Sequence, residues 1–219
     1  MPILHSVAQR SEAWDRLKLG IPSSSEFHRI LTPGGKDSEQ WEQYACALIA
    51  ERLLGRKLDS YVSPWMERGA ELEIDAVRWY ELDRDLDTEV IGFVTTGDGK
   101  VGCSPDRLVG DDGLLEIKAP APATQVQYLI TGAIDRKYKP QLQGQLWITE
   151  RQWVDILAWH EELPRAVIRV ERDEKYIERL AARLDWFVDY VDACLAKIET
   201  VSTKASLRER LQASLQVAP

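Results

Sequence analysis

The chain has 219 residues, of which 44% are hydrophobic and 29% charged, and its formal net charge is -8. That composition is the one expected of a soluble, folded protein, and it argues against a protein that coats nucleic acid by bulk attraction. No apolar run approaches the ~18 residues of a membrane span. The start, MPILHSVAQRSEAW, lacks the basic-then-apolar layout of a signal peptide, so the cytoplasm is the expected compartment.

In chain order, SEAWDRLKLGIPSSSEFHRIL (11–31) predicts a short helix, a Pro-Ser turn and a second helix capped by one of Ser23 to Ser25. TPGGKDS (32–38) reads as a loop. Residues 39–54 read as a helix, with Trp41, Ala45, Leu48 and Ile49 at helical spacing, and 64–84 as another. Three strands follow as a meander: EVIGFVTT turns at GDGK into VGCSPDRLV, which turns at GDDG into LLEIKAP. ATQVQYLITG and YKPQLQGQLWIT predict helices, and WVDILAWH and AVIRVER predict strands. Trp147, Trp153 and Trp159 are expected in the core. A long helix begins near Asp173, with Ile177, Leu180, Leu184, Phe187, Val191, Cys194 and Ile198 on one face. SLRERLQASLQ predicts one more short helix. The expected fold is α/β of the mixed α+β kind, a central mixed sheet of about five strands flanked by helices. A single domain is expected over 1–219, with a core at about 11–200 and a tail at 201–219.

Cys46, Cys103 and Cys194 are widely separated, and His5, His28 and His160 are scattered. They suit neither a disulfide framework nor a zinc site, so any metal would need oxygen ligands. The stretch CSPDRLVGDDGLLEIKAP offers them. Residues two apart in a strand share a face, so Glu116 and Lys118 point the same way, and Asp106 comes from the strand across the turn. Two carboxylates that close repel unless a cation or a shared proton intervenes. A divalent metal is one solution, with Lys118 holding or activating a water beside it. A cross-strand ion pair on a solvated face fits the same pattern.

On a helical wheel of residues 66–80, Met66, Ala70, Val77 and Tyr80 share a narrow arc, while Glu67, Arg68, Glu71, Asp75 and Arg78 lie opposite. Glu73 falls inside the apolar arc, where a carboxylate is costly unless paired or metal-bound. Gln141 and Gln145 are four apart, on one helix face, where amides could fix a water or a phosphate oxygen. Surface glutamines fit that spacing too.

Together these motifs resemble the bacteriophage lambda exonuclease family, the YqaJ-type viral recombinases of the PD-(D/E)xK nuclease superfamily. Five segments carry the resemblance in order over residues 11–176: AWDRLKLGIPSSSEFHRI, MERGAELEIDAVRWYE, GCSPDRLVGDDGLLEIKAP, YKPQLQGQLWIT and VERDEKYIE. It implies a restriction-endonuclease-like core and a 5'-to-3' exonuclease that digests double-stranded DNA from its ends, dependent on Mg²⁺ or Mn²⁺ with two ions per site. By the same resemblance Asp106 and Glu116 are the main metal ligands, Glu73 completes the acidic site, Lys118 contacts the attacking water, and Gln141 supports Lys118 or the scissile phosphate. Ser25 and Ser104 match positions that hold the 5'-phosphate.

Where the family often has an arginine in its N-terminal segment this chain has Lys18, with Arg16 nearby. Where the family has Gly after SPD it has Arg107; all three are candidate phosphate contacts. The resemblance further implies a homotrimer ring around DNA, a single-strand annealing protein as partner, no membrane association, and a phage or prophage gene expressed in a bacterial host. Another nuclease of the superfamily, an endonuclease or a CRISPR-type exonuclease, and a non-catalytic DNA-end-binding module are the alternatives. No GxxxxGK[ST] loop occurs, so digestion is expected to be ATP-independent.

Overall fold

The computed structural model describes the backbone of residues 1–58 and 64–215 and the side chains of residues 1–58 and 72–201. Met66, Glu67, Arg68, Ala70 and Glu71, which the helical wheel uses, therefore lie outside the described side chains, as does the apolar pattern of the tail.

Helix α1 (Glu12–Lys18) begins at Ser11, whose hydroxyl accepts the Trp14 N–H. After the left-handed Gly20 comes a 3₁₀ helix, Ser24–Arg29, where an ordinary helix was expected. Helices α2 (Trp41–Leu54) and α3 (Pro64–Arg84) follow. Two sheets are then built rather than one meander. Strands β1 (Ile3–His5), β3 (Phe93–Thr95) and β4 (Gly102–Cys103) form a small antiparallel sheet. Strands β2 (Thr88–Glu89), β5 (Arg107–Val109), β6 (Gly113–Lys118), β7 (Trp153–Ala158) and β8 (Ala166–Glu171) form a five-stranded mixed sheet in that order.

The predicted strand VGCSPDRLV is thus two strands in different sheets. Pro105 has no N–H to give a ladder, and the chain leaves the small sheet at Cys103 and joins the large one at Arg107. Strand β1 was not predicted; three residues carry too little periodicity to announce a strand.

Among the described strands of the large sheet, only β6 and β7 run parallel. Their connection is a crossover through helices α4 (Pro122–Thr131) and α5 (Lys139–Thr149), as a parallel pair requires. Pro122 and Pro140 stand in the first turns of these helices, where no amide is needed. Helix α5 lies against the 3₁₀ helix so closely that a Cβ on Gly144 would sit 2.4 Å from the Phe27 ring. Helix α6 (Glu174–Leu215) runs through the tail without the expected break. Its residues Leu180, Leu184, Phe187 and Val191 are buried in the main core with Phe27, Tyr44, Leu142 and Ile156, and Ile177 is buried as well. Trp159 is buried, and Trp147 and Trp153 pack partly buried against the core.

Helix α3 is pinned to the large sheet through a buried carboxylate. Asp155 on β7 accepts from the Tyr80 hydroxyl at 2.7 Å and from Arg169 Nε and Nη2 at 2.7 and 2.9 Å. Tyr80 and Glu73 are two helical turns apart on one face, so this anchor also aims Glu73 at the sheet. Among the described residues no helix is long and apolar enough to cross a membrane.

Candidate active site

Strands β5 and β6 pair with Arg107 opposite Leu115. One step further along that register, at the break after Pro105, Asp106 stands across from Glu116. Asp106 Oδ2 accepts the Ile117 N–H at 2.6 Å, which fixes the carboxyl against β6. Glu116 is 4% exposed and its two oxygens are spanned by three donors. Lys118 Nζ and Gln141 Nε2 reach Oε1 at 2.6 and 2.7 Å, and Gln145 Nε2 reaches Oε2 at 2.7 Å. The strand's two-residue period delivers Lys118 and the four-residue spacing on α5 delivers both amides. The Lys118 ammonium also lies 5.1 Å from the centre of the Tyr138 ring.

The electrostatics follow from that crowding. Burial, and then the negative charge of Glu116, push the Asp106 carboxyl up to about 8. Burial pulls the Lys118 ammonium down, but Glu116 and Asp106 more than offset it and keep it protonated. Glu73 on α3 accepts from Arg107 Nη1 at 2.8 Å, and the same nitrogen donates to the Asp106 carbonyl at 2.6 Å. Glu73 therefore borders the pair through Arg107. Among the described residues no three acidic, histidine or cysteine side chains converge closely enough to hold an ion as they stand.

The proposed phosphate-binding residues fall into two groups. The Lys18 ammonium sits 3.8 Å from the Trp14 ring centre, and burial, with nearby Lys57, lowers it to about 8. The Trp14 indole donates to Ser104 Oγ at 3.0 Å and to the Gly92 carbonyl at 2.9 Å. Lys18, Trp14 and Ser104 are thus one cluster, joined to Asp106 through Pro105. Arg16 is exposed and paired with Glu12, Ser25 is exposed on the 3₁₀ helix, and Arg107 is engaged by Glu73.

Two contributors escaped the sequence-based set. Gln145 was placed on the face of Gln141 but not assigned to the site, and Trp14 was not singled out. The signal for both was there: Trp14 and Lys18, like Gln141 and Gln145, are spaced by four on a helix.

Comparison with known proteins finds likeness in sequence and in fold. The model of the YqaJ-like viral recombinase domain matches residues 13–152. The structure of an alkaline exonuclease, LHK-Exo, from Laribacter hongkongensis superimposes with a TM-score of 0.81 at 28% identity, covering 89% of this chain and 100% of that one. A structure of LHK-Exo in complex with dAMP gives the same TM-score and coverage at 30% identity. A phage-related exonuclease from Haemophilus somnus 129PT shares the fold, with a TM-score of 0.62 at 15% identity over 81% of this chain and 96% of that one. Among curated proteins no sequence matches. The matched domain takes in well over half of the chain and spans Lys18, Glu73, Asp106, Glu116, Lys118 and Gln141, so the chain belongs to the YqaJ-like viral recombinase family.

Proposed function

We propose that the chain is a metal-dependent deoxyribonuclease that digests one strand of linear double-stranded DNA from its 5' end and leaves a 3' single strand for annealing. The observation that carries this reading is the facing of Asp106 and Glu116 at the end of the β5–β6 ladder, with Lys118 and two amides gathered on Glu116. Likeness to an alkaline exonuclease over 89% of the chain supports it.

The donor set suits Mg²⁺ or Mn²⁺. Its side chains offer oxygen, as these ions prefer. The Asp106 carboxyl is raised by burial and by the neighbouring charge of Glu116, which a cation would neutralise. Gln145 Oε1, beside Glu116, is buried with no donor. Asp106 and Glu116 would hold the metal, with Glu73 as the third carboxylate and two ions per site as the family expectation. Once bound, such an ion polarises a phosphate oxygen and lowers the pKa of a water. The chain's own residues do the rest. Lys118, protonated, donates to the attacking water or a phosphate oxygen. Gln141 and Gln145 keep Glu116 from turning away. The Lys18, Trp14 and Ser104 cluster receives the terminal phosphate.

The protein acts as a homotrimer ring beside a single-strand annealing partner, in the cytoplasm of a bacterial host. The test is a linear duplex labelled separately at each end. Release of the 5' label with Mg²⁺, silence in EDTA and survival of the 3' strand are expected. Release from the 3' end first, or digestion in EDTA, overturns the reading.

A further inference from the structure

Arg107 lies beside the acidic pair, yet its guanidinium faces Glu73 rather than an open groove. The same Nη1 bridges Glu73 Oε1 at 2.8 Å and the Asp106 carbonyl at 2.6 Å. Both side chains of the pair are largely buried, at 15% and 24% exposure. Screening by water is therefore weak, and the ion pair is firmer than a surface one. While it lasts, Glu73 cannot also turn to an ion between Asp106 and Glu116. Among the described residues no three carboxylates converge as they stand.

We propose that Arg107 is a resident competitor for the metal: its guanidinium keeps Glu73 paired until a divalent ion takes that carboxylate from it. The inference rests on the reading of Asp106, Glu116 and Glu73 as the metal ligands. It adds that metal affinity is set by an exchange of one cation for another, and not by the carboxylates alone. The charge balance points the same way. Asp106, Glu116 and Glu73 against Lys118 and Arg107 leave a single net negative charge if all are ionised; without Arg107 there are two, and a divalent cation is held more tightly. Removing the guanidinium both frees the third ligand and takes away a like charge.

The test is titration calorimetry of Mg²⁺ and of Mn²⁺ into the full chain without DNA, with the EPR signal of free Mn²⁺ as a second readout. Arg107→Met should bind either ion about tenfold more tightly than wild type (~1.4 kcal/mol), and Arg107→Lys should stay near wild type. Glu73→Gln should bind more weakly, and in that background Arg107→Met should gain little, since the gain runs through Glu73. If Arg107→Met does not fold, Arg107→Gln carries the same comparison. Wild-type affinity in the neutral variant overturns the inference while leaving the metal reading intact, and so does a gain undiminished in the Glu73→Gln background. No binding of either ion at millimolar concentration, by wild type or variant, overturns the metal reading and the inference with it.

Discussion

Replacing Asp106 with asparagine should stabilise the metal-free protein, and the gain should grow with pH. In the folded chain burial and the charge of Glu116 push the Asp106 carboxyl up to about 8; in an unfolded chain it titrates at ~3.9. A carboxyl raised in this way binds its proton more tightly when folded. Stability is therefore undiminished below ~4 and falls as pH climbs toward the folded value. The ceiling is ~1.4 kcal/mol per pH unit. The Ile117 N–H and the Lys118 charge favour the ionised form, and the titration is shared with neighbours. About half of the ceiling is the reasonable expectation, or roughly 2 kcal/mol between pH 5 and pH 8. Asparagine keeps the shape and an oxygen for Ile117 while removing the charge. The assay is urea denaturation of both proteins in EDTA at pH values from 5 to 9. The advantage of the variant should widen up to pH 8 and then level off. A constant difference, or a wild type that is the more stable at pH 9, would refute the reasoning. Saturating Mg²⁺ should reverse the order, because only the wild type gains folding free energy from binding it.

Asp106→Ala, Glu116→Ala and Lys118→Ala should each abolish cleavage of linear duplex while circular dichroism stays native; ordinary turnover by any one removes that residue from the site. Gln145→Leu leaves a buried carboxylate oxygen without its donor, which should cost ~1–3 kcal/mol in denaturant titration and slow cleavage as well. Lys18→Ala should lower the preference for 5'-phosphorylated over 5'-hydroxyl ends, and Lys18→Arg should keep or sharpen it, since a guanidinium can grip phosphate through two bonds; unchanged ratios in both variants would clear Lys18 of the role. Light scattering without DNA should give the mass of a trimer, and closed circular duplex should survive while linear duplex is lost; a monomer at micromolar concentration would undo the ring.

The helices were legible because each carries its own punctuation. Ser11 caps α1, Gly55 and Gly132 end α2 and α4 in the left-handed conformation, and Pro122 and Pro140 open α4 and α5. The sheets were less so. GDGK and GDDG do turn the chain, but a turn reports two neighbouring strands and not which sheet they join. The division at Ser104–Pro105–Asp106 depends on β1, whose Ile3 pairs with Thr95 far outside any local window and which supplies the edge that β3 needs. Pro105 was the available warning, since a proline inside a predicted interior strand speaks against that strand.

The site shows the same limit more sharply. Period two in β6 was enough to place Glu116 and Lys118 on one face, and period four in α5 placed Gln141 beside Gln145. Neither periodicity could say that the two faces meet. That encounter is produced by the crossover, which returns α5 across the large sheet before β7 pairs with β6. An amide four residues from another has two meanings, solvated or convergent, and the choice rests on what the opposing element presents. Here it presents a carboxylate that is 4% exposed, whose burial would be prohibitive without several donors. The buried charge and the paired glutamines thus explain one another. The same reasoning separates the two acidic residues. Glu116 is spanned by donors from two elements, while Asp106 has one amide hydrogen and a repelling neighbour. The free energy that folding does not recover at Asp106 is what a bound cation would recover.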